Sequence, residues 1–464
     1  MFSKILIANR GEIALRIIRA ARELGFRTVA VYSEADRTAL HTLLAHEKVC
    51  IGPAKAADSY LNIPNLLSAA EITKADAIHP GYGFLAENAR FAEICQTSNM
   101  TFIGPPAAAI RLLGDKNRAR LEMKKARVPV IPGGDKILQD LAEAKKTAQQ
   151  IGYPVILKAA SGGGGKGMRI ALNPVQLEEQ FPIAQNEARA AFGDPSLYLE
   201  KYLPKARHIE IQVIADSYGN VRTFGERECS VQRKYQKLVE ETPSTMVDPR
   251  LRRKMRAAAE EAVRYLGYQS LGTFEFLVDE RKDFYFMEAN TRVQVEHPIT
   301  EAVYNIDLIK AQLRIAAGEK LTIPEEVEMR GHAIECRINA EDPDTFVPSP
   351  GKIDFLVFPG GEGIRVDSAA YCGWEIPPNY DSLVAKIIAL APNRQIAIKK
   401  MITALEMTTI VGVKTNLPLL LSILSHEEFR TGTYDTKFME RFLAQKEAAA
   451  KAAVPAAAPS EPGS

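Results

Sequence analysis

Between Lys4 and about Gly114, short β-branched runs alternate with helical patterns: Ile5 to Ala8, then Ile13, Ile17, Ile18 and Ala21 at helical spacing, then Thr28 to Tyr32. This alternation predicts βαβ units and a parallel sheet over residues 1–114. Lys-rich helical segments follow, and then a strand from Tyr153 to Ala159 runs into Ser161-Gly162-Gly163-Gly164-Gly165-Lys166-Gly167. The stretch 131–203 is expected to form a small inserted subdomain. Beyond it the period changes: His208 to Asp216, Val221 to Gly225, Gly272 to Asp279 and Phe284 to Asn290 alternate apolar with polar residues, as antiparallel strands do. A mixed region follows from Gly331 to about 445. Residues 446–464, rich in Ala and Pro and without periodic large apolar positions, read as a disordered tail.

Composition changes the picture mainly by exclusion. The 464 residues, 46% apolar and 25% charged, are an ordinary globular mixture with room for roughly three domains at ~150 residues each. Lys+Arg 59 against Asp+Glu 57 leaves a net charge of +2, which argues against nucleic acid as a partner. No apolar run is long enough to span a bilayer, and Met1 to Ala8 reads as a first strand and not a signal peptide. Five scattered cysteines without a C-x-x-C pair fit a reducing compartment and no structural zinc, so a cytoplasmic protein is expected.

The candidate chemistry lies in three places. Five glycines in the window 161–167 suit close backbone approach to a phosphate chain, with Lys166 and Lys158 supplying positive charge. The spacing is not that of a Walker A loop, and Asn9-Arg10-Gly11-Glu12 lacks the dinucleotide G-x-G-x-x-G. A turn centred between Arg281 and Lys282 would set Glu275 opposite Glu288, with Asn290 on the same face. Opposed carboxylates are costly on a sheet unless neutralised, and magnesium or manganese does so. The run Asn290 to Pro298 then mixes amide, guanidinium, carboxylate and imidazole, a set able to grip a small oxyanion and take its proton. His208 shares a strand face with Glu210 and Gln212 and reads equally as a core-edge histidine. His297, beside Pro298, reads as structural.

These residues resemble the biotin carboxylase family of ATP-grasp enzymes from Lys4 to about Leu443. The resemblance rests on Ala8 to Ala14, His79 to Leu85, the glycine loop, Glu288 to Pro298, and Glu335 to Pro343. It implies an α/β and α+β chain: a Rossmann-like parallel-sheet domain over 1–114, an ATP-grasp domain over 115–330 with its antiparallel sheet and a mobile lid at 131–203, and a C-terminal mixed domain over 331–445. It further implies ATP contacts at Lys116, Lys158, Gly164, Gly165, Lys166, Glu200, Lys201, Leu203, His208, Gln232, Tyr235, Glu275, Leu277 and Glu288. Two divalent metal sites would draw on Glu275, Glu288 and Asn290. Bicarbonate would meet Lys237, Arg292, Gln294 and the Val295 backbone, and biotin would meet Tyr82 and Arg337.

In the reaction the resemblance implies, Glu296 deprotonates bicarbonate, which attacks ATP to give carboxyphosphate. Carbon dioxide then passes to biotin, whose anion Arg337 stabilises. No Met-Lys-Met attachment site occurs, so biotin would arrive on a separate carrier protein, with a carboxyltransferase as further partner and a homodimer as the family's assembly. Acetyl-CoA is the expected final acceptor, with pyruvate or propionyl-CoA as alternatives and another ATP-grasp carboxylate ligase as a more distant one. Two departures stand out: Tyr235 where the family often carries histidine or asparagine, and Lys166-Gly167 where arginine is common.

Overall fold

The computed structural model describes residues 2–133, 136–160 and 168–453. Strands β1 (Lys4–Ile7), β2 (Arg27–Tyr32), β3 (Glu47–Cys50), β4 (Ala77–His79) and β5 (Thr101–Phe102) form one parallel sheet in the order β3-β2-β1-β4-β5. The switch in strand order beside β1 opens a crevice at the strands' carboxyl ends, where ligands bind in such sheets. The helix Gly11–Glu23 starts there and buries Ile13, Ala14, Ile17 and Ile18 against the sheet.

A three-stranded sheet of β6 (Val155–Ala159), β7 (Arg169–Ala171) and β8 (Leu197–Lys201) packs against the helices Leu141–Ile151 and Pro174–Phe192 with a small core of its own. The central sheet is larger than the sequence pattern suggests. β9 (Arg207–Ala215), β10 (Val221–Arg233), β11 (Gln236–Thr242), β12 (Ser270–Val278), β13 (Phe284–Asn290) and β14 (His332–Asn339) belong to it. Of the later strands β15 (Gly351–Lys352), β16 (Phe355–Val357), β17 (Ile364–Ser368), β18 (Glu375–Ile376), β19 (Leu383–Ala391) and β20 (Thr409–Val411), two also join. The resulting eight-stranded antiparallel order is β13-β12-β9-β10-β11-β14-β19-β17, so the sheet runs on past residue 330.

Two expectations need correction. β10 extends to Arg233 and pairs with β11, although Glu226, Arg227, Glu228, Glu240 and Glu241 do not read as strand. They are tolerated because each is buried with its charge paired or its proton retained. The tail expected from residue 446 begins instead as helix: Phe438–Ala453 continues through alanine, lysine and glutamate, all strong helix formers. Residues 454–464 lie outside the described part.

Candidate active site

β12 and β13 set the key carboxylates. Glu275 pairs with Glu288 as expected, but by a different route. The loop Asp279–Asp283 is centred on Arg281, which gives the pairs Val278 with Phe284 and Phe276 with Phe286. A β-bulge at Met287 then inserts one residue and shifts the register to Glu275–Glu288. The bulge also changes which face the even positions occupy. Phe284 and Phe286 pack into the core with Phe274 and Phe276, whereas Met287, Glu288 and Asn290 line a cavity of about 1160 Å³.

That cavity gathers every described residue predicted for the site. Lys116, Lys158, Glu200, Lys201, Leu203, His208, Gln232, Tyr235 and Leu277 line it together with Tyr82, Lys237, Arg292, Gln294, Val295, Glu296 and Arg337. Gly164, Gly165 and Lys166 fall outside the described residues. Glu200 accepts from Lys158 at 2.6 Å and from Arg120 at 2.5 Å, and Lys201 donates to the carbonyls of Gly152 and Tyr153 at 2.9 and 2.8 Å. Lys116 pairs with Glu288 at 2.9 Å. Tyr235 and Lys234 form the two-residue turn between β10 and β11, both with positive φ (66° and 46°), a conformation asparagine adopts at less cost than tyrosine. Its ring stands 59% exposed on the cavity rim.

Glu296 lies at the buried centre, 0% exposed, immediately before the helix His297–Tyr304, whose positive end favours its charge. Lys237 donates to it at 2.5 Å and Arg337 at 3.0 Å. Burial by itself would raise the Glu296 carboxyl, but Lys237, Arg337 and Arg227 outweigh it and hold the group well below the usual carboxylate range. Lys237 also reaches Glu210 at 2.8 Å and Glu275 at 3.3 Å, while Arg227 bridges Glu210, Gln212, Thr273 and Thr300. Gln294 and Asn290 donate amide N–H groups to Glu275 at 3.1 and 2.7 Å. Arg292 donates to Gln294, to Asn290 and to Glu87, the last at 2.8 Å.

His208, on the cavity face of β9 with Glu210 and Gln212, pairs with Glu275 at 2.9 Å. Burial lowers its pKa, yet Glu275 more than compensates and the ring is raised above its ordinary value. His297 is structural. Its Nδ1–H donates to the Gln294 carbonyl at 2.7 Å, and burial keeps the ring neutral.

Glu275, Glu288 and Asn290 offer carboxylate and amide oxygens, the donors a hard divalent cation takes, and all three line the cavity. The residues present fit magnesium or manganese. Two sequence motifs meet in the cavity lining: Asn9 donates to the carbonyls of Pro80 and Tyr82 at 2.6 and 2.7 Å, and the Tyr82 hydroxyl donates to Glu12. Sequence reasoning missed Glu12, Glu87, Arg120, Glu240, Glu335 and Lys386 as site neighbours. For Glu12 and Glu335 the signal was their place inside recognised motifs. For the others it was absent.

Three family models match the chain: the biotin carboxylase N-terminal domain over residues 1–110, the ATP-binding domain of the carbamoyl-phosphate synthase L chain over 115–324, and the biotin carboxylase C-terminal domain over 335–441. The chain is 54% identical over 445 residues to biotin carboxylase 1 of Bacillus subtilis, covering 95% of this chain and 99% of that protein. It is 52% identical over 444 residues to a pyruvate carboxylase subunit of Methanothermobacter thermautotrophicus, covering 95% and 90%. Among solved structures it is similar to a biotin carboxylase–β,γ-ATP complex from Campylobacter jejuni, with a TM-score of 0.90, 49% identity and coverage of 95% and 99%. It is also similar to the biotin carboxylase domain dimer of Hydrogenobacter thermophilus 2-oxoglutarate carboxylase, solved with MgADP, ADP and bicarbonate, with a TM-score of 0.88, 50% identity and coverage of 95% and 98%.

Proposed function

The chain belongs to the biotin carboxylase family of ATP-dependent ligases, and on that basis we propose that it carboxylates biotin carried on a separate protein, using the residues gathered around Glu296. The observation that carries this reading is the grip of Lys237 and Arg337 on one fully buried carboxylate, in the same cavity as Glu275 and Glu288. Nucleotide lies toward Lys116, Lys158, His208 and Leu277. Glu275, Glu288 and Asn290 hold magnesium or manganese, which when bound offsets the phosphate charge. Bicarbonate sits among Lys237, Arg292, Gln294 and the Val295 backbone.

Glu296 starts ionised, as a proton acceptor must. Once bicarbonate is seated, Lys237 shares its charge with the second anion, so the hold on the Glu296 carboxylate weakens and its proton affinity rises toward that of a working base. The bicarbonate oxygen freed of its proton attacks the γ-phosphorus, and the bond to ADP breaks. The mixed anhydride then breaks into carbon dioxide and phosphate, and the phosphate takes the ureido proton of biotin. Arg337, which lines the cavity with Tyr82, offers its guanidinium to the biotin anion as the anion's nitrogen attacks the carbon dioxide. Closure of the β6–β8 unit excludes water from the mixed anhydride.

Acetyl-CoA is the proposed final acceptor, with the carrier and a carboxyltransferase as partners and a homodimer as the assembly. Pyruvate is the second reading, supported by the relative named as part of a pyruvate carboxylase. ADP release with ATP and magnesium tests the core of the proposal. Dependence on bicarbonate and free biotin that disappears in Glu296→Ala supports it. Turnover indifferent to both substrates overturns it. Co-purification of the carboxyltransferase decides the acceptor.

A further inference from the structure

One buried cation has no part in the chemistry proposed above. Lys386, in the middle of β19, is 0% exposed, and a lysine so placed costs several kcal/mol unless its charge is paired. Its ammonium pairs with Glu12 at 3.0 Å and donates to the carbonyl of Val295 at 2.8 Å. The Glu12 oxygen that receives Lys386 is the one that accepts from the Tyr82 hydroxyl, and the other Glu12 oxygen has no hydrogen-bond partner among the described residues. An ion pair alone would need only Glu12. The second bond goes to the peptide joining Val295 to Glu296, the segment that leads into the base. Tyr82, Glu12, Lys386 and Val295 therefore form one continuous chain of contacts, drawn from separate stretches of sequence.

We propose that Lys386 is a positioning residue for both halves of the reaction: one ammonium fixes the biotin-facing Tyr82 and the bicarbonate-facing Val295–Glu296 segment relative to each other, so that loosening either loosens both. This rests on the assignment of biotin to Tyr82 and bicarbonate to Val295. The nucleotide contacts at Lys116 and Lys158 lie off the chain, paired with Glu288 and Glu200.

The test measures KM for ATP, bicarbonate and free biotin in the full-length protein. A wild type without bicarbonate- and biotin-dependent ADP release would defeat the functional reading itself, before any variant is made. With that dependence in hand, Lys386→Met is expected to raise both the bicarbonate and the biotin KM by about tenfold, the worth of one hydrogen bond to a charged group, with the ATP KM unchanged. If neither KM moves, or if the ATP KM rises in step, the proposal falls.

Because Lys386→Met strips Glu12 of its counter-ion, Tyr82→Phe supplies the decision where that variant does not fold. It removes one hydroxyl and no charge. The coupling predicts that Tyr82→Phe raises the bicarbonate KM by about threefold, although Tyr82 does not belong to the bicarbonate set. An effect confined to the biotin KM overturns the coupling.

Discussion

Glu240 and Glu335 stand directly opposite one another on β11 and β14, both wholly buried. Arg337 pairs with Glu240, while both oxygens of Glu335 lack a hydrogen-bond partner among the described residues. Opposed carboxylates in a dry sheet cannot both ionise, and protons resolve the conflict. Burial, opposed by Arg337 and reinforced by Glu296, pushes Glu240 up to about 7. Burial, opposed by Lys386 and Arg337, also raises Glu335 well above the usual carboxylate range.

This opposition predicts a pH dependence of stability. An unfolded chain releases the Glu240 proton near 4.5, whereas the folded protein holds it to about 7. Between those values the unfolded state binds fewer protons, so each step upward in pH favours unfolding. Stability from this group is therefore full below 4.5 and lost as pH rises through about 7. Glu240→Gln is expected to flatten that decline, by an amount on the order of a few kcal/mol across the window. Denaturant titrations at a series of pH values read it directly, and an unchanged slope would count against the raised carboxyl.

Arg337→Ala should cost both fold and chemistry. The guanidinium bridges Glu240 and Glu296, and its removal leaves two buried carboxylates with less compensation. A loss of about 3–5 kcal/mol is expected from uncompensated buried charge, seen as a lower denaturant midpoint, together with loss of biotin-dependent turnover. Arg337→Lys is expected to recover part of the stability and little of the turnover, since an ammonium cannot reproduce the planar fork.

Lys116→Ala separates the two quantities. Lys116 is 60% exposed, so its pair with Glu288 contributes at most ~1 kcal/mol to stability. The ATP KM is expected to rise about tenfold, as loss of a charge-assisted contact would give. A melting temperature that drops while the ATP KM holds would contradict the assignment.

Ending the chain at residue 330 would remove β14, β19 and β17 and leave β11 as a bare sheet edge. The truncated protein is expected to aggregate, and size-exclusion chromatography would show it. A monodisperse, cooperatively melting product would mean that the central sheet closes without those strands.

The parallel sheet and the β12–β13 hairpin were legible because their apolar residues keep a regular period. Ile13, Ile17 and Ile18 mark one helical stripe, and Ile209, Ile211 and Val213 one strand face, and both are buried as that reading requires. β11 and the far half of β10 were not legible, because alternation is informative only where polar side chains face water. Here Glu226, Arg227, Glu228 and Glu240 are all buried, each against partners on other strands or helices. Lys386 is the one polar residue of Leu383–Ala391, but nothing in that strand marks Glu12, far away in sequence, as its partner. The recognised motifs supplied what periodicity could not.

The extra residue at Met287 also governs how the chain tolerates gain and loss of length. Removing Met287 would turn a bulged strand into a regular one while leaving Glu288 and Asn290 on the cavity side, because Phe286 already faces the core and the next residue faces away. Removing Ala289, two positions on, would keep the bulge and rotate Asn290 into the core, stranding an amide among Phe274 and Phe286. Two deletions that look interchangeable in an alignment thus have opposite meanings, one sparing the acidic pair and its amide neighbour and the other dismantling the set.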